Sequence, residues 1–337
     1  MKKKLVGWFW RLPEVLRVAY RSFPLLVILL VLLLSCRFGR KGSGEGSQAE
    51  EGEISISGAF ALYPLAVRWA EAYMKLCPEV RIDISAGGAG KGITDVLNDM
   101  VEIGMVSRNM NPGEISSGAF AIAVARDAVL PTISAYNRQL NLIRRKGMSR
   151  ETFRKLYLED SFISWGSLTG SSSHKKVMVY TRSDACGAAE TWAEFLGTNQ
   201  ESLYGVGVFG DPGIADAVKS DEYGIGYNNL IYIYDLGNRL KYNGLDVIPL
   251  DFNANGIIDP EEDFYETIDQ FLAAVEAGRF PSPPARDLYF VTNGRPDDPV
   301  LTGFLKWILT EGQHLVHESG YIPLNHEEIE NELNKLR

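Results

Sequence analysis

Two stretches of the 337-residue sequence gather groups able to hold ions. The first is Asp251-Phe-Asn253-Ala-Asn255-Gly256-Ile257-Ile-Asp259-Pro-Glu-Glu262. Its side-chain oxygens fall at the first, third, fifth, ninth and twelfth places, with Gly256 at the bend and the Ile257 carbonyl at the seventh, the spacing of an EF-hand calcium loop. Asp251, Asn253, Asn255, Ile257, Asp259 and Glu262 are therefore the expected ligands of a structural Ca²⁺, the other reading being an Asx-rich turn without metal. The second stretch is Gly87-Gly88-Ala89-Gly90-Lys91-Gly92, with Ser107-Arg108 shortly after it. Glycine turns ahead of helices expose backbone N–H groups, and the helix dipole adds positive potential there. Arg108 adds a forked donor suited to an oxyanion. The same glycines would also serve close helix–strand packing, and Lys91 is not followed by the Ser or Thr of a Walker loop.

These groups need elements to hold them. Ile54 and Ile56 alternate with polar neighbours and predict a strand ending at Gly58. Leu62, Leu65, Ala66, Trp69, Tyr73 and Leu76 recur at helical spacing, closed by Cys77-Pro78. A strand through Val80, Ile82 and Ile84 feeds the glycine loop and a helix with Ile93, Val96, Leu97 and Met100 inside. A third strand, at 103–106, delivers Ser107-Arg108. Strand–helix alternation predicts that this first unit is α/β with a largely parallel sheet, whose ligand crevice lies beyond the strand carboxyl ends. Val247–Leu250 reads as a strand entering the calcium loop, and a helix is expected only on its far side. Pro281–Arg286 reads as extended and His326–Arg337 as a polar helix.

The amino terminus reads as an address. Residues 1–35 carry six cations against Glu14, a net of +5, so the remainder bears −14 within an overall −9. A remainder so acidic has no basic face for nucleic acid. The apolar run Leu25–Leu34 is too short to span a bilayer, which takes about 20 helical residues. It ends in Leu33-Leu34-Ser35-Cys36, which resembles the lipobox of bacterial lipoprotein signal peptides; the resemblance implies cleavage before Cys36 and lipid on its sulfur. An uncut signal anchor is the other reading, and both export the chain to the periplasm or cell surface. Residues 36–53 then form a flexible tether.

Gly58-Ala-Phe-Ala-Leu-Tyr-Pro64 with Trp69, Gly87–Gly92, Gly104-Met-Val-Ser107-Arg108, Arg182-Ser-Asp-Ala-Cys-Gly187, Gly224-Ile-Gly-Tyr227, Phe304-Leu-Lys-Trp-Ile-Leu and Gly320-Tyr-Ile-Pro-Leu together resemble the substrate-binding protein of bacterial phosphate ABC transporters. The resemblance runs from about residue 54 to about residue 325. It implies a periplasmic-binding-protein fold of two α/β lobes, 54–126 plus 287–337 and 127–286, joined by two crossover strands at 121–127 and 288–291. It also implies inorganic phosphate or a similar oxyanion in the cleft, delivery to an ABC permease, and no enzymatic role or organic cofactor; the expected state is a monomer. On that layout Cys77 lies far from Cys186, so no disulfide is expected.

By the same resemblance the cleft residues are Ala59, Phe60, Ala61, Ala89, Gly90, Ser107, Arg108, Arg182, Asp184, Cys186, Gly187 and Ala188. Several depart from the family pattern. Ala59, Phe60 and Ala61 stand where hydroxyls are usual, Ala89 replaces a Ser, and Cys186-Gly187-Ala188 replaces Ser-Gly-Thr. Where some members carry an Asp that accepts the phosphate proton, this chain has Arg108. Arg182 remains, with Asp184 to orient its guanidinium. Loss of hydroxyls opens the alternative of a sensing module with a degenerate cleft. Cys186 lacks a base at suggestive spacing among His174, His314, His317 and His326, so a nucleophilic role is not expected.

Overall fold

The computed structural model describes residues 52–159 and 161–337. The expected signal segment 1–35, the lipid acceptor Cys36 and nearly all of the tether 36–53 lie outside the described residues. Among the described residues no helix is long and apolar enough to cross a membrane.

The chain opens with β1 (Gly52–Gly58), α1 (Tyr63–Leu76), β2 (Val80–Ala86), α2 (Ala89–Leu97) and β3 (Ile103–Val106). β1 pairs in parallel with β2 on one side and β3 on the other. This is the alternation that the hydrophobic periods of 2 and 3.6 dictate. α1 sinks Leu65, Ala66, Trp69, Ala70 and Tyr73 into the sheet and begins with Pro64 in its first turn, where the missing N–H costs nothing. After a short α3 (Pro112–Ser116) comes β4 (Ala119–Ser134), a 16-residue strand.

The second half holds α4 (Leu140–Lys146), α5 (Arg150–Leu158), α6 (Trp165–Thr169), β5 (Met178–Arg182), α7 (Gly187–Leu196), β6 (Val206–Val208), α8 (Gly210–Ser220), β7 (Gly224–Asn229), β8 (Leu245–Val247) and α9 (Ile268–Glu276). β9 (Ala285–Asn293) returns, and α10 (Pro299–Leu309), α11 (His314–Glu318) and α12 (His326–Lys335) end the chain. The strand order is β2-β1-β3-β9-β4-β7-β5-β6, with β8 on β4.

β4 and β9 are the crossovers. β4 pairs with β9 through Ala119–Ala128 and with β7 through Val129–Ile133, so one strand serves both halves of the sheet. The apolar cores divide at the same place. One gathers Ile54–Ala125 with Leu288–Leu336, built around Trp69, Phe290 and Phe304. The other draws on Ala128–Ala285 with Ile322, built around Trp165, Trp192, Tyr227 and Phe271, and a small third cluster of Ile214, Ala215, Val218 and Leu245 lies under α8. The halves abut closely enough that the described residues form one compact unit.

Three local expectations need correcting. The strand before the calcium loop is Leu245–Val247, not 247–250. No helix directly follows the loop: α9 starts at Ile268, where Thr267 and Gln270 form a capping box. Of Pro281–Arg286 only Ala285 and Arg286, the start of β9, are extended: a turn at 282–284, closed by Ala285 N–H donating to Pro281 O (2.9 Å), precedes them. The carboxyl-terminal helix is present, and its Glu328 grips Arg126 of β4 through a forked pair at 2.6 and 3.1 Å.

Candidate functional site

Loop placement starts from backbone contacts. Ala59 N–H donates to Met105 O (2.9 Å), and Gly87 and Gly88 N–H both donate to Gly58 O (2.9 and 3.0 Å). Gly58 has φ +132, and a Cβ there or on Gly92 would meet the Met105 carbonyl. These two glycines therefore serve close packing between strand and helix. Gly88, at φ +91, differs: a Cβ there would come within 3.1 Å of Ala185 O and Asp184 Oδ2 of the opposite lobe. Two tyrosines secure the first loop, Tyr321 donating to Ala61 O (2.7 Å) and Tyr232 to Phe60 O (3.1 Å).

From the second lobe, β5 ends in Arg182, and the Ala185–Gly187 loop crosses to the first lobe. Gly90 N–H donates to Ala185 O (3.4 Å). Gly187 packs so tightly on Ser107 that a Cβ would overlap its hydroxyl and carbonyl oxygens. The cleft is shut at these points. α2 and α7 both begin at it, and first-turn N–H groups have no partner within their own helix.

Arg182 is the centre of the site, with 1% of its side chain exposed. Its Nε and Nη2 donate to Asp184 Oδ1 and Oδ2 (2.8 and 2.5 Å), and its Nη1 donates to Asp211 Oδ2 (2.6 Å). Phe60 covers the guanidinium, 5.7 Å from ring centroid to Cζ. Phe209, 62% exposed, packs edge-on against Phe60 at the mouth. Burial works against the cation, but Asp211 and Asp184 hold it ionised. A guanidinium has five N–H groups. Three are committed here, and two remain.

Asp211 stands in the first turn of α8, 2% exposed. Asn229 Nδ2 donates to its Oδ1 (2.7 Å) and Asn228 Nδ2 to its carbonyl (2.9 Å). Asn229 Oδ1 in turn accepts from Arg286 Nη2. Arg286 is fixed by Asp127 through Nε and Nη2 (2.8 and 3.1 Å) and by Thr191 Oγ1 (3.1 Å). Burial pushes the Asp127 carboxyl up against the pull of Arg286. A buried polar chain thus runs from both crossovers, Asp127 on β4 and Arg286 on β9, to the cleft arginine.

The structure sets Phe60, Gly90, Ser107, Arg182, Asp184 and Gly187 where the lobes meet, while Ala59, Ala61 and Ala89 are buried in the first apolar core and Cys186 and Ala188 in the second. Arg108 is turned elsewhere. Its Nη1 and Nη2 clasp Glu114 (2.9 and 2.6 Å), and it lines a side cavity of about 420 Å³ with Arg126, Thr191, Glu194 and Arg286. Cys186 is buried; burial, opposed by Arg182, pushes its thiol up to about 12, and its sulfur caps α7 by accepting from Ala189 N–H (3.4 Å). Cys77 and Cys186 are both free.

The model of the PBP superfamily domain matches residues 43–311. The chain belongs to the PBP superfamily. Within that superfamily it is similar to the phosphate-binding protein PstS of Methanocaldococcus jannaschii, 25% identical over 89% of this chain and 90% of that one. It is likewise 26% identical to PstS of Pseudomonas aeruginosa over 81% and 83%. Among solved structures, a Clostridium perfringens protein assigned to phosphate ABC transporters and solved with phosphate bound superposes with a TM-score of 0.65, at 22% identity over 81% of this chain and all of that one. These likenesses agree with the two-lobed α/β fold that the resemblance implied.

Reasoning from the sequence missed Asp211, Asn229, Asp127, Arg286 and Glu114. Asp211-Pro-Gly reads as a plain helix start, and Asn228-Asn229 directly follows the Gly224–Tyr227 motif without distinguishing itself. Only the fold brings these distant positions together.

The loop 251–262 forms a tight set of turns. Asp251 Oδ1 and Oδ2 accept from Asn255 and Gly256 N–H (3.2 and 2.8 Å), while Glu262 Oε1 and Oε2 accept from Phe252 and Asp259 N–H (2.8 and 3.2 Å). Asn253 and Asn255 both direct Nδ2 at Asp259 Oδ2 (2.9 and 3.0 Å). Gly256 has φ +81. Among the described residues no three or more His, Cys, Asp or Glu are gathered so as to hold a metal, so any ion here would draw on the two asparagines.

Proposed function

We propose that the chain is an extracytoplasmic solute-binding lipoprotein that holds an oxyanion, phosphate first among candidates, between its lobes for an ABC permease. The observation that carries this reading is Arg182, buried and oriented by Asp184 with two N–H groups still uncommitted, together with the starts of α2 and α7, which meet across the cleft at Gly90–Ala185 and Gly187–Ser107. Main-chain donors there need no hydroxyls, so Ala59, Ala61, Ala89 and Ala188 remain compatible with an anion held by amides and one guanidinium. Relatives named for phosphate binding and covering most of both chains support the same cargo. Signal cleavage and lipid on Cys36 rest on the sequence Leu33–Cys36. The protonated state of Cys186 favours binding over nucleophilic chemistry. Calorimetric titration of the purified full-length chain with phosphate, arsenate, sulfate and organic phosphates tests the reading. One saturable site for a phosphate-like anion is expected; no heat from any of them would leave the sensing alternative, which the paired state of Arg108 and Arg182 favours.

Calcium in the 251–262 loop is a second proposal. Its support is the convergence of Asn253 and Asn255 on Asp259 and the oxygen-only donor set, which suits Ca²⁺ once each asparagine amide turns its oxygen inward. Affinity near that of extracellular modules is expected, on the order of 10⁻⁴–10⁻³ M. Millimolar Ca²⁺ should raise the melting midpoint by several degrees over chelator and have no effect in Asp251→Ala; equal midpoints for the native chain would remove the ion.

A further inference from the structure

Every cation at or beside the cleft carries its own carboxylate. Arg182 has Asp184 and Asp211, Arg108 has Glu114, and Arg286 has Asp127. The buried cluster at Arg182 bears one positive and two negative charges, a net of −1 where an anion is to be received. The two carboxylates are not equivalent. Asp184 takes the Nε–Nη2 side of the guanidinium with both oxygens, a contact that fixes the plane of the fork. Asp211 takes an N–H of Nη1, one of the two nitrogens through which the fork must meet an oxyanion end-on.

We infer that Asp211 is a built-in competitor for Arg182, a fixed protein carboxylate beside whose charge an incoming oxyanion must bind, and that it thereby sets the affinity of the cleft. The inference rests on the oxyanion reading above and names what limits it. Asp211 is held for this role from behind. Asn229 pins Oδ1 and Asn228 pins the main chain, while Asn229 is itself held by Arg286, which Asp127 and Thr191 fix in turn. A carboxylate so tied cannot swing far, so its charge stays beside the guanidinium when an anion enters. Arg182, Asp184, Asp211 and Asn229 all belong to the second lobe, so the competition does not depend on closure by the first. An arginine that merely needed orienting would have been served by Asp184 alone.

The consequence is unusual for a buried ion pair: removing the acid should improve binding. Asp211→Asn keeps the shape and an acceptor for Arg182 or Asn229 while deleting the charge; Asp211→Ser shortens the group and keeps a hydroxyl. Calorimetry with inorganic phosphate at fixed pH and ionic strength compares both with the native chain, and thermal melts without phosphate establish that each is folded. Both variants should bind roughly tenfold or more tightly, the scale of one charge-assisted contact, and adding Arg182→Gln should abolish the gain. Equal or weaker binding in folded variants of a chain that itself binds phosphate would overturn the competitor role and leave the oxyanion reading intact. No heat from the native chain or either variant would overturn both. Binding by the variants alone would establish the competitor in its strongest form.

Discussion

Cys186 shows how one residue can change the character of a loop without changing its path. A serine there would cap α7 with a hard oxygen and offer a hydroxyl to the cleft. The thiol keeps the cap, accepting from Ala189 N–H, but contributes only a weak acceptor. Burial raises its pKa to about 12, so it remains a thiol at any physiological pH. Alkylation with iodoacetamide at pH 8, followed by peptide mapping, should label half-buried Cys77 while sparing Cys186 until the chain is unfolded. Rapid native labelling of Cys186 would mean an activated thiolate and reopen a catalytic role. At this scale the sequence is informative about which residues occupy the cleft loops and much less so about their partners. Arg108 illustrates the limit: its place after β3 is legible, but the fork is claimed by Glu114 six residues on, a pairing that depends on the capping box at Asn111 and Glu114.

Among the elements, the starts of α2 and α7 bring the lobes together, and glycine makes the approach feasible. Gly88 and Gly90 of one lobe face Ala185 of the other, and Gly187 lies against Ser107. Gly187 has an ordinary backbone conformation, since it is not among the positive-φ residues, so a side chain there is excluded by the neighbouring lobe alone. Gly187→Ala should therefore fold normally and fail to close. We expect a melting midpoint within a few degrees of the native value and phosphate binding weakened by roughly tenfold or more, measured by scanning calorimetry and titration. Undiminished affinity would show that closure at Ser107 is not needed. The elements themselves were legible where periodicity was strong, as in α1, β2 and β3. They were misplaced where local chemistry sets the boundary: Thr267 delays α9, and the prolines at 281–284 make a turn rather than an extended run.

For the whole molecule, the governing fact is that two strands join two cores and a buried polar chain follows the same route. β4 and β9 supply Asp127 and Arg286, and through Asn229 these reach Asp211 and Arg182. Local strand-and-helix periods announced the α/β elements of the first lobe, while the two-lobed layout came from the resemblance carried by the spaced motifs. The polar chain behind Arg182 was invisible, because its members are up to 159 residues apart and Asp127, Arg286, Asn229 and Asp211 belong to none of the motifs. Globally the chain beyond residue 35 is strongly acidic, so long-range steering works against an anion and recognition rests on what Arg182 and the helix starts supply at contact. That claim is tested most directly by titrating inorganic phosphate into the full-length chain and into folded Arg182→Gln. The account predicts one saturable site in the first and none in the second; heat of binding unchanged by the substitution would contradict it.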